Sequence, residues 1–426
     1  MATSNRIHGL WLAVLALTGL LLSSPAMSLA QDPLPYASLK TYVQDLKATI
    51  PGRGTNAFIQ PLPEEIDAFG STMQQLLMGD LASAMPALDA LNYDLGVLND
   101  DSGKSYWVAQ ERPTGFRGLG TYIVDSNYTR NVVVEVPHPL WDTNTPEEGS
   151  DIFQGLGARA LFIAGTHRCA NPDTPSGCSG TTTSCNTGSI PVRISDAPHF
   201  TGNFMYAAHG AGLQLVSPPI SLNLHGNASE PVDITLSDGT RSSGAETALV
   251  NSLRNALLAR SVSVASCNWP DDGLTAQNLC GTTNAQGRLS NGSPEACTIN
   301  AVNASGLFLH IEQHLNIRND PGLLIEALQQ VLPVVEPEDG LAGVRVSTSS
   351  KSSAWVPKRD SESCASGFKV DRSGGAPPFP PFRVRCSFAE WTIARFSPLL
   401  IEPDVRLSRI RLSNGCHTRA CAGGSR

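Results

Sequence analysis

The chain has 426 residues, 41% of them hydrophobic and only 16% charged, with a formal net charge of −8. That balance excludes wholesale disorder, leaves ample material for a core, and predicts two or three domains. An acidic chain also lacks the basic footprint of a nucleic-acid binder, so no nucleic-acid partner is expected.

The first thirty residues predict export. Arg6 and His8 precede an apolar run from Leu10 to Leu22, and Ser28-Leu29-Ala30 supplies small residues before a cut. A basic head, a short apolar centre and a small-residue site make a signal peptide, cleaved after Ala30. No later stretch reaches the roughly 18 apolar residues of a membrane helix, so no stable membrane insertion is expected. The mature protein is thus expected to be secreted, periplasmic or extracellular.

Residues 31–91 read as a helical N-terminal segment. Leu39, Val43 and Leu46 fall at helical spacing, a second run covers Ile66 to Leu81, and Pro86 separates it from a short stretch ending near Leu91. Residues 92–340 alternate strands with helices. The strands are Tyr122 to Val124, Val132 to Val136, Ala160 to Ile163, Ile220 to Leu224, Ser261 to Ala265 and Gly306 to Glu312. Helical spacing appears around Ile152 to Leu156, His199 to Leu213, Ala245 to Ala259 and Pro321 to Leu332. The segment Gly281 to Arg288 reads as an extended polar loop. This alternation predicts an α/β fold, a mixed sheet flanked by helices.

Beyond Gly340 the chain turns basic: 341–426 carries fourteen Lys+Arg against six Asp+Glu, whereas 31–340 carries fifteen against thirty-two. A small Cys-containing β module is expected there, with β-like stretches at Phe382 to Phe388 and Val405 to Leu412. It either meets an anionic surface or docks on the acidic body.

All ten cysteines lie after the leader and none is spaced Cys-x-x-Cys, which predicts disulfides rather than a zinc ribbon. They fall into groups 169/178/185, 267/280/297 and 364/386/416/421. Two groups are odd, so full pairing requires a bridge between groups. The long loop Asn171 to Ile190, rich in Cys and Gly, is expected to be functional or clamped.

Polar clusters at strand exits carry the chemistry, because sites in open α/β sheets form beyond the carboxyl ends of the strands. Val136-Pro137-His138 leads to Asp142, Leu222-Asn223-Leu224-His225-Gly226 ends in a histidine, and Leu309-His310-Ile311-Glu312 carries a carboxylate. A catalytic zinc needs about three N or O ligands, an open position, and a carboxylate to take a proton from water. His138, Asp142 and His225 as ligands with Glu312 as base supply that inventory. On one strand face His310, Glu312 and His314 would lie together, which puts His310 or His314 near the metal as a lesser alternative; the Glu offset does not match the His-Glu-x-x-His helix.

From about Asn131 to Arg318 these motifs resemble the zinc carboxypeptidase-like superfamily, especially its N-formylglutamate amidohydrolase and poly-γ-glutamate hydrolase branches. The resemblance implies a zinc-peptidase-like sheet, Zn2+ on His138, Asp142 and His225, and Glu312 as catalytic base. It departs from the carboxypeptidase pattern at Trp141, which stands three residues after the first histidine where a glutamate belongs. Asp142 is the nearest acid, and Glu135 is its rival or a residue that orients a ligand.

Arg168 and His167, after the strand Ala160 to Ile163, and Arg288 are candidates to bind a substrate carboxylate, which a guanidinium fork suits. Asp196, His199 and His209 receive no role. The expected activity is hydrolysis of an amide bond in a small molecule or peptide that bears a carboxylate. No Gly-x-Ser-x-Gly elbow and no phosphate loop occurs. The competing reading, from another class, is a secreted binding protein with a decayed or structural metal site.

Overall fold

The computed structural model describes residues 34–244, 247–268 and 278–335. The leader at 1–30, the module at 341–426 and its four cysteines lie outside the described residues.

Three helices come first: α1 (Leu39–Thr49), α2 (Pro63–Leu77) and α3 (Leu81–Ala90). Ser38 caps α1 by accepting from the Thr41 amide, and Glu65 closes the start of α2 on the Leu62 amide. The break expected at Pro86 falls instead at Gly79–Asp80. Gly79 takes φ +81°, Asp80 caps α3, and Pro86 rides inside that helix.

A hairpin of β1 (Tyr93–Asn99) and β2 (Ser105–Glu111) opens the sheet, followed by β3 (Thr121–Val124), β4 (Arg130–Val136), α4 (Thr145–Leu156) and β5 (Ala158–Ile163). Then come the two-residue strands β6 (Thr181–Thr182) and β7 (Ile190–Pro191), a 3-10 turn at Ala197–His199, and α5 (Phe204–Leu213). The chain continues through β8 (Ile220–Gly226), β9 (Ile234–Ser237), α6 (Ala248–Leu258), β10 (Val264–Ser266), α7 (Ala285–Ser290) and β11 (Phe308–Gln313), and the described part ends with α8 (Leu315–Asn319) and α9 (Gly322–Val331). Gly281 to Arg288, expected to be extended, therefore contains the start of α7, which Asn284 caps through the Gly287 amide.

The nine-stranded sheet runs β1-β2-β3-β5-β4-β8-β11-β9-β10. Its centre, β5-β4-β8-β11, is parallel, while β3 and β9 pair antiparallel on either side. This is the mixed α/β sheet that the alternating pattern predicts. No described helix is long and apolar enough to cross a membrane.

Each face of the sheet has its own core. Val132, Val134 and Val136 of β4, Leu222 and Leu224 of β8, and Leu309 and Ile311 of β11 pack with α1, α4, α6 and α9. The opposite face packs Val133, Ala160, Phe162 and Tyr122 against α2, α3 and α5, with Phe69 stacked on Phe204 at 4.0 Å between ring centroids. The helices before β1 therefore belong to both cores, and none of their residues lines the cavities described below.

Because strand side chains alternate, the residues between those apolar positions turn to the second face. Register sets Glu135 beside Asn223, Asn223 beside His310, and His225 beside Glu312. A polar column thus runs across three central strands toward their carboxyl ends.

Three disulfides form among the described residues: Cys169–Cys185, Cys178–Cys297 and Cys267–Cys280. The second joins two of the sequence groups, as the odd counts required.

Candidate functional site

His138 follows β4, and Asp142 returns to it through a turn closed by the Asp142 amide donating to the His138 carbonyl at 3.0 Å. In such a turn residues four apart lie on one side, which brings the Asp142 carboxyl beside the His138 ring. Trp141 instead faces outward, 39% exposed, with its ring edge on His167. His225 ends β8. After it, Gly226 leaves room for the Arg318 guanidinium, which donates to the Thr143 carbonyl and so ties the His138 turn to α8.

Each imidazole has one nitrogen committed elsewhere. His138 Nε2 donates to Asp196 Oδ1 at 2.8 Å, and His225 Nε2 donates to Asn223 Oδ1 at 2.6 Å. Both oxygens can only accept, so both rings carry hydrogen on Nε2 and turn Nδ1 toward the same point. The two Nδ1 atoms lie 3.1 Å apart, and Asp142 Oδ2 is 3.0 Å from one and 3.3 Å from the other. Four ligands around zinc at about 2.0–2.1 Å stand roughly 3.3 Å apart, so this triangle has the size of one face of a tetrahedral site. All three residues are buried, and together they form a group able to hold a metal ion. Two imidazole lone pairs and a carboxylate facing one another repel unless a cation or a proton lies between them.

Electrostatics follow from that crowding. Burial would push the Asp142 carboxyl up, but His138 and His225, when they carry a proton toward it, outweigh that and hold it well below the usual carboxylate range. Burial pushes His225 down to about 4, against the pull of Asp142, so its ring is neutral near pH 7. Glu312 is pushed well above the ordinary carboxylate value by burial and then by the nearby Asp142 charge. Its Oε1 lies 3.7 Å from His310 Nε2, and the His310 ring is 4.5 Å from that of His225. His225, His310 and Glu312 make a second group of metal-capable donors adjoining the first. Gly281, at φ +63°, packs so tightly on His310 that any side chain there would collide with the ring.

Two cavities of about 550 Å³ each meet at this point. Arg168, Ser184, His225, Leu279 and Glu312 line both. The inner one adds His138, His199, His310 and the hydroxyls of Thr181 to Ser184 and of Thr282 and Thr283. The outer one adds Trp141, Asp142 and Arg318. The Cys169–Cys185 and Cys178–Cys297 bridges clamp the loop that supplies the Thr181 to Ser184 wall.

The structure thus brings His138, Asp142, His225, Glu312 and Arg168 together. Arg168 donates to Asp196 Oδ2 at 2.7 Å, while its buried Nε has no hydrogen-bond partner in the described residues. His167 sits behind the wall: its Nδ1 accepts from the Cys169 amide, and burial lowers its pKa to about 4. His314 points away from the centre, with Nε2 bonded to the Glu230 carbonyl. Arg288, the other arginine expected to read substrate, stands apart from this group. It is 1% exposed, lines neither cavity, and donates to the Thr282, Ala296 and Cys297 carbonyls and to Ser179 and Asn300. Its five N–H groups tie α7 to the 296–300 segment, to Thr282 and to Ser179.

Sequence reasoning left Asp196 without a role, and Asn223 entered it only as part of the strand motif. The signal for Asn223 was its alternation with His225 in an apolar strand. Asp196 lies 58 residues beyond its partner His138, with no pattern to mark it.

Fold and site together define an α/β protein with a buried His-Asp-His group and an adjoining carboxylate at the mouth of its parallel strands. No protein-family model matches the chain, and no curated protein matches it. Among solved structures it is similar to a bacteriophage poly-γ-glutamate hydrolase at 13% identity and a TM-score of 0.27, over 50% of this chain and 88% of that one. The likeness is distant, and the residues of the site carry the argument that follows.

Proposed function

We propose that this chain is a zinc-dependent hydrolase that cleaves an amide bond next to a substrate carboxylate, of the N-acyl amino acid, peptide or γ-glutamyl type. The observation that carries this reading is the convergence of His138 Nδ1, His225 Nδ1 and Asp142 Oδ2 within 3.0–3.3 Å, with both Nε2 atoms tied back. His138, Asp142 and His225 would hold the ion, which when bound supplies Lewis acidity to the scissile carbonyl and makes water more acidic.

The remaining work falls to the protein. Glu312 takes a proton from the attacking water as its oxygen bonds to the carbonyl carbon. It returns that proton to the nitrogen as the C–N bond breaks, leaving a carboxylic acid and an amine. The burial that raises the proton affinity of Glu312 makes it a stronger base than a carboxylate in water. Arg168, whose side chain lines both cavities, would receive the substrate carboxylate. The hydroxyl-rich wall suits a polar substrate rather than an apolar one.

Glu312→Gln tests this. The variant should bind zinc as the parent does, while turnover of model amides bearing a free carboxylate falls about a hundred- to ten-thousand-fold. Unchanged turnover would remove Glu312 from the mechanism, and loss of zinc would make it a ligand. A parent that binds no zinc and turns over nothing would leave the binding-protein reading.

A further inference from the structure

A line of buried hydrogen bonds leads away from His225 into the protein. Asn223 Oδ1 accepts from His225 Nε2, and Asn223 Nδ2 donates to Glu135 Oε2 at 2.9 Å. Glu135 Oε1 lies 2.7 Å from His209 Nδ1 on α5, and His209 Nε2 is 2.8 Å from Ser290 Oγ at the end of α7. Asn284 Nδ2, at the cap of α7, donates to the same Asn223 oxygen at 2.9 Å. Glu135, Asn223 and His209 are at most 2% exposed and Ser290 9%.

An asparagine amide can sit either way round in its space, and the two orientations make opposite demands on a neighbouring imidazole. Oxygen toward His225 requires hydrogen on Nε2, which leaves the Nδ1 lone pair facing His138 and Asp142. Nitrogen toward His225 requires a lone pair on Nε2, which puts hydrogen on Nδ1 and blocks ligation. The Glu135 carboxylate decides between them. A flipped Asn223 would set its oxygen against Glu135 Oε2 and its NH2 against that of Asn284, two repulsive contacts where no water competes.

We infer that Glu135 is a positioning residue that, through Asn223, locks His225 in the one tautomer able to bind a metal through Nδ1. The inference rests on the metal reading of the site and adds to it residues that touch neither metal nor substrate. His209 holds the far oxygen of Glu135, so the lock is anchored on α5 and α7.

Nitrogen-15 NMR of the metal-free parent reads the tautomer directly, and His225 must carry hydrogen on Nε2. Hydrogen on Nδ1 there overturns the inference whatever any variant does. Glu135→Gln keeps the volume but lets the Asn223 amide turn. The Nδ1–H form should appear, and zinc affinity measured by chelator competition should fall about 10- to 100-fold. Exchanging the pair, Glu135→Gln with Asn223→Asp, places at position 223 a carboxylate that can only accept, with the new amide at position 135 as its donor. That double variant should regain the parent tautomer and affinity. Unchanged affinity in Glu135→Gln, or a loss in folded protein that the exchanged pair does not restore, overturns the inference. A parent that binds no zinc would sink the metal reading instead, and the tautomer measurement still tests the lock.

Discussion

Glu148, in the first turn of α4, gives a prediction whose size can be worked out from its surroundings. The residue has no solvent exposure, and neither carboxyl oxygen has a well-formed hydrogen bond among the described residues. Burial pushes its pKa up to about 8; the Gln313 amide and the Arg318 charge offset only part of that rise. A carboxyl whose folded pKa lies above its unfolded value contributes fully below the unfolded value and loses that contribution as pH rises through the folded one. Here the window runs from the ordinary value of 4.5 to about 8. At pH 7 the folded protein keeps Glu148 neutral while the unfolded chain ionises it, a difference of about 2.5 pH units or roughly 3 kcal/mol. Glu148→Gln mimics the neutral form at every pH. Urea unfolding from about pH 4 to pH 9 should find parent and variant equal at the acid end. The variant should be ahead by about 3 kcal/mol near pH 7 and by about 5 kcal/mol at the alkaline end. A stability difference that does not change with pH would refute the reasoning, because only the missing ionisation gives it this shape.

Asp142→Ala should lose stoichiometric zinc, since removal of one of three protein ligands rarely leaves a tight site, whereas Glu135→Ala should weaken binding and keep the site. Metal analysis after dialysis separates them, and the reverse pattern would transfer the ligand role to Glu135. Replacing Cys178 and Cys297 together by Ser opens a bridge spanning 119 residues. The expected loss is about 2–5 kcal/mol, read from the denaturant midpoint. An unchanged midpoint would mean that the loop's hydrogen bonds alone hold it.

Much of the fold was legible because its centre is built from short β-branched or aliphatic runs, and such runs have few other ways to bury themselves. The hairpin of β1 and β2 was not legible. Its residues mix Asp94, Gly96, Asn99 and Gln110 among the apolar ones, and the pairing becomes favourable only beside β3. Gly281 to Arg288 looked extended because α7 is six residues long with a glycine inside, too short for periodicity to speak. In the site, His138 and His225 announced themselves as polar ends of apolar strands. Whether a nearby arginine reads substrate or braces a loop depends on which way it points after folding. Arg168 and Arg288 looked alike in sequence, and the fold sent one to the cavity and the other into carbonyl oxygens. Asp196 could be noticed beside His199 but given no role, because its tie to His138 exists only once the clamped loop has closed over the sheet.

The alternation along β4, β8 and β11 bears on how this protein tolerates change. One set of residues fills the core against α1, α4, α6 and α9, and the set between them carries the polar column whose ends, His225, His310 and Glu312, line the cavity. The two sets share backbone but not neighbours, so replacing His310 alters the lining of the cavity and leaves Leu309 and Ile311 packed as before. Inserting or deleting a single residue has the opposite character. It would exchange the two faces from that point on, driving carboxylates and imidazoles into hydrocarbon while leucines fill the cavity. Lineages of this fold can therefore diversify in chemistry by substitution at nearly constant strand length, with length variation confined to the loops that rim the cleft.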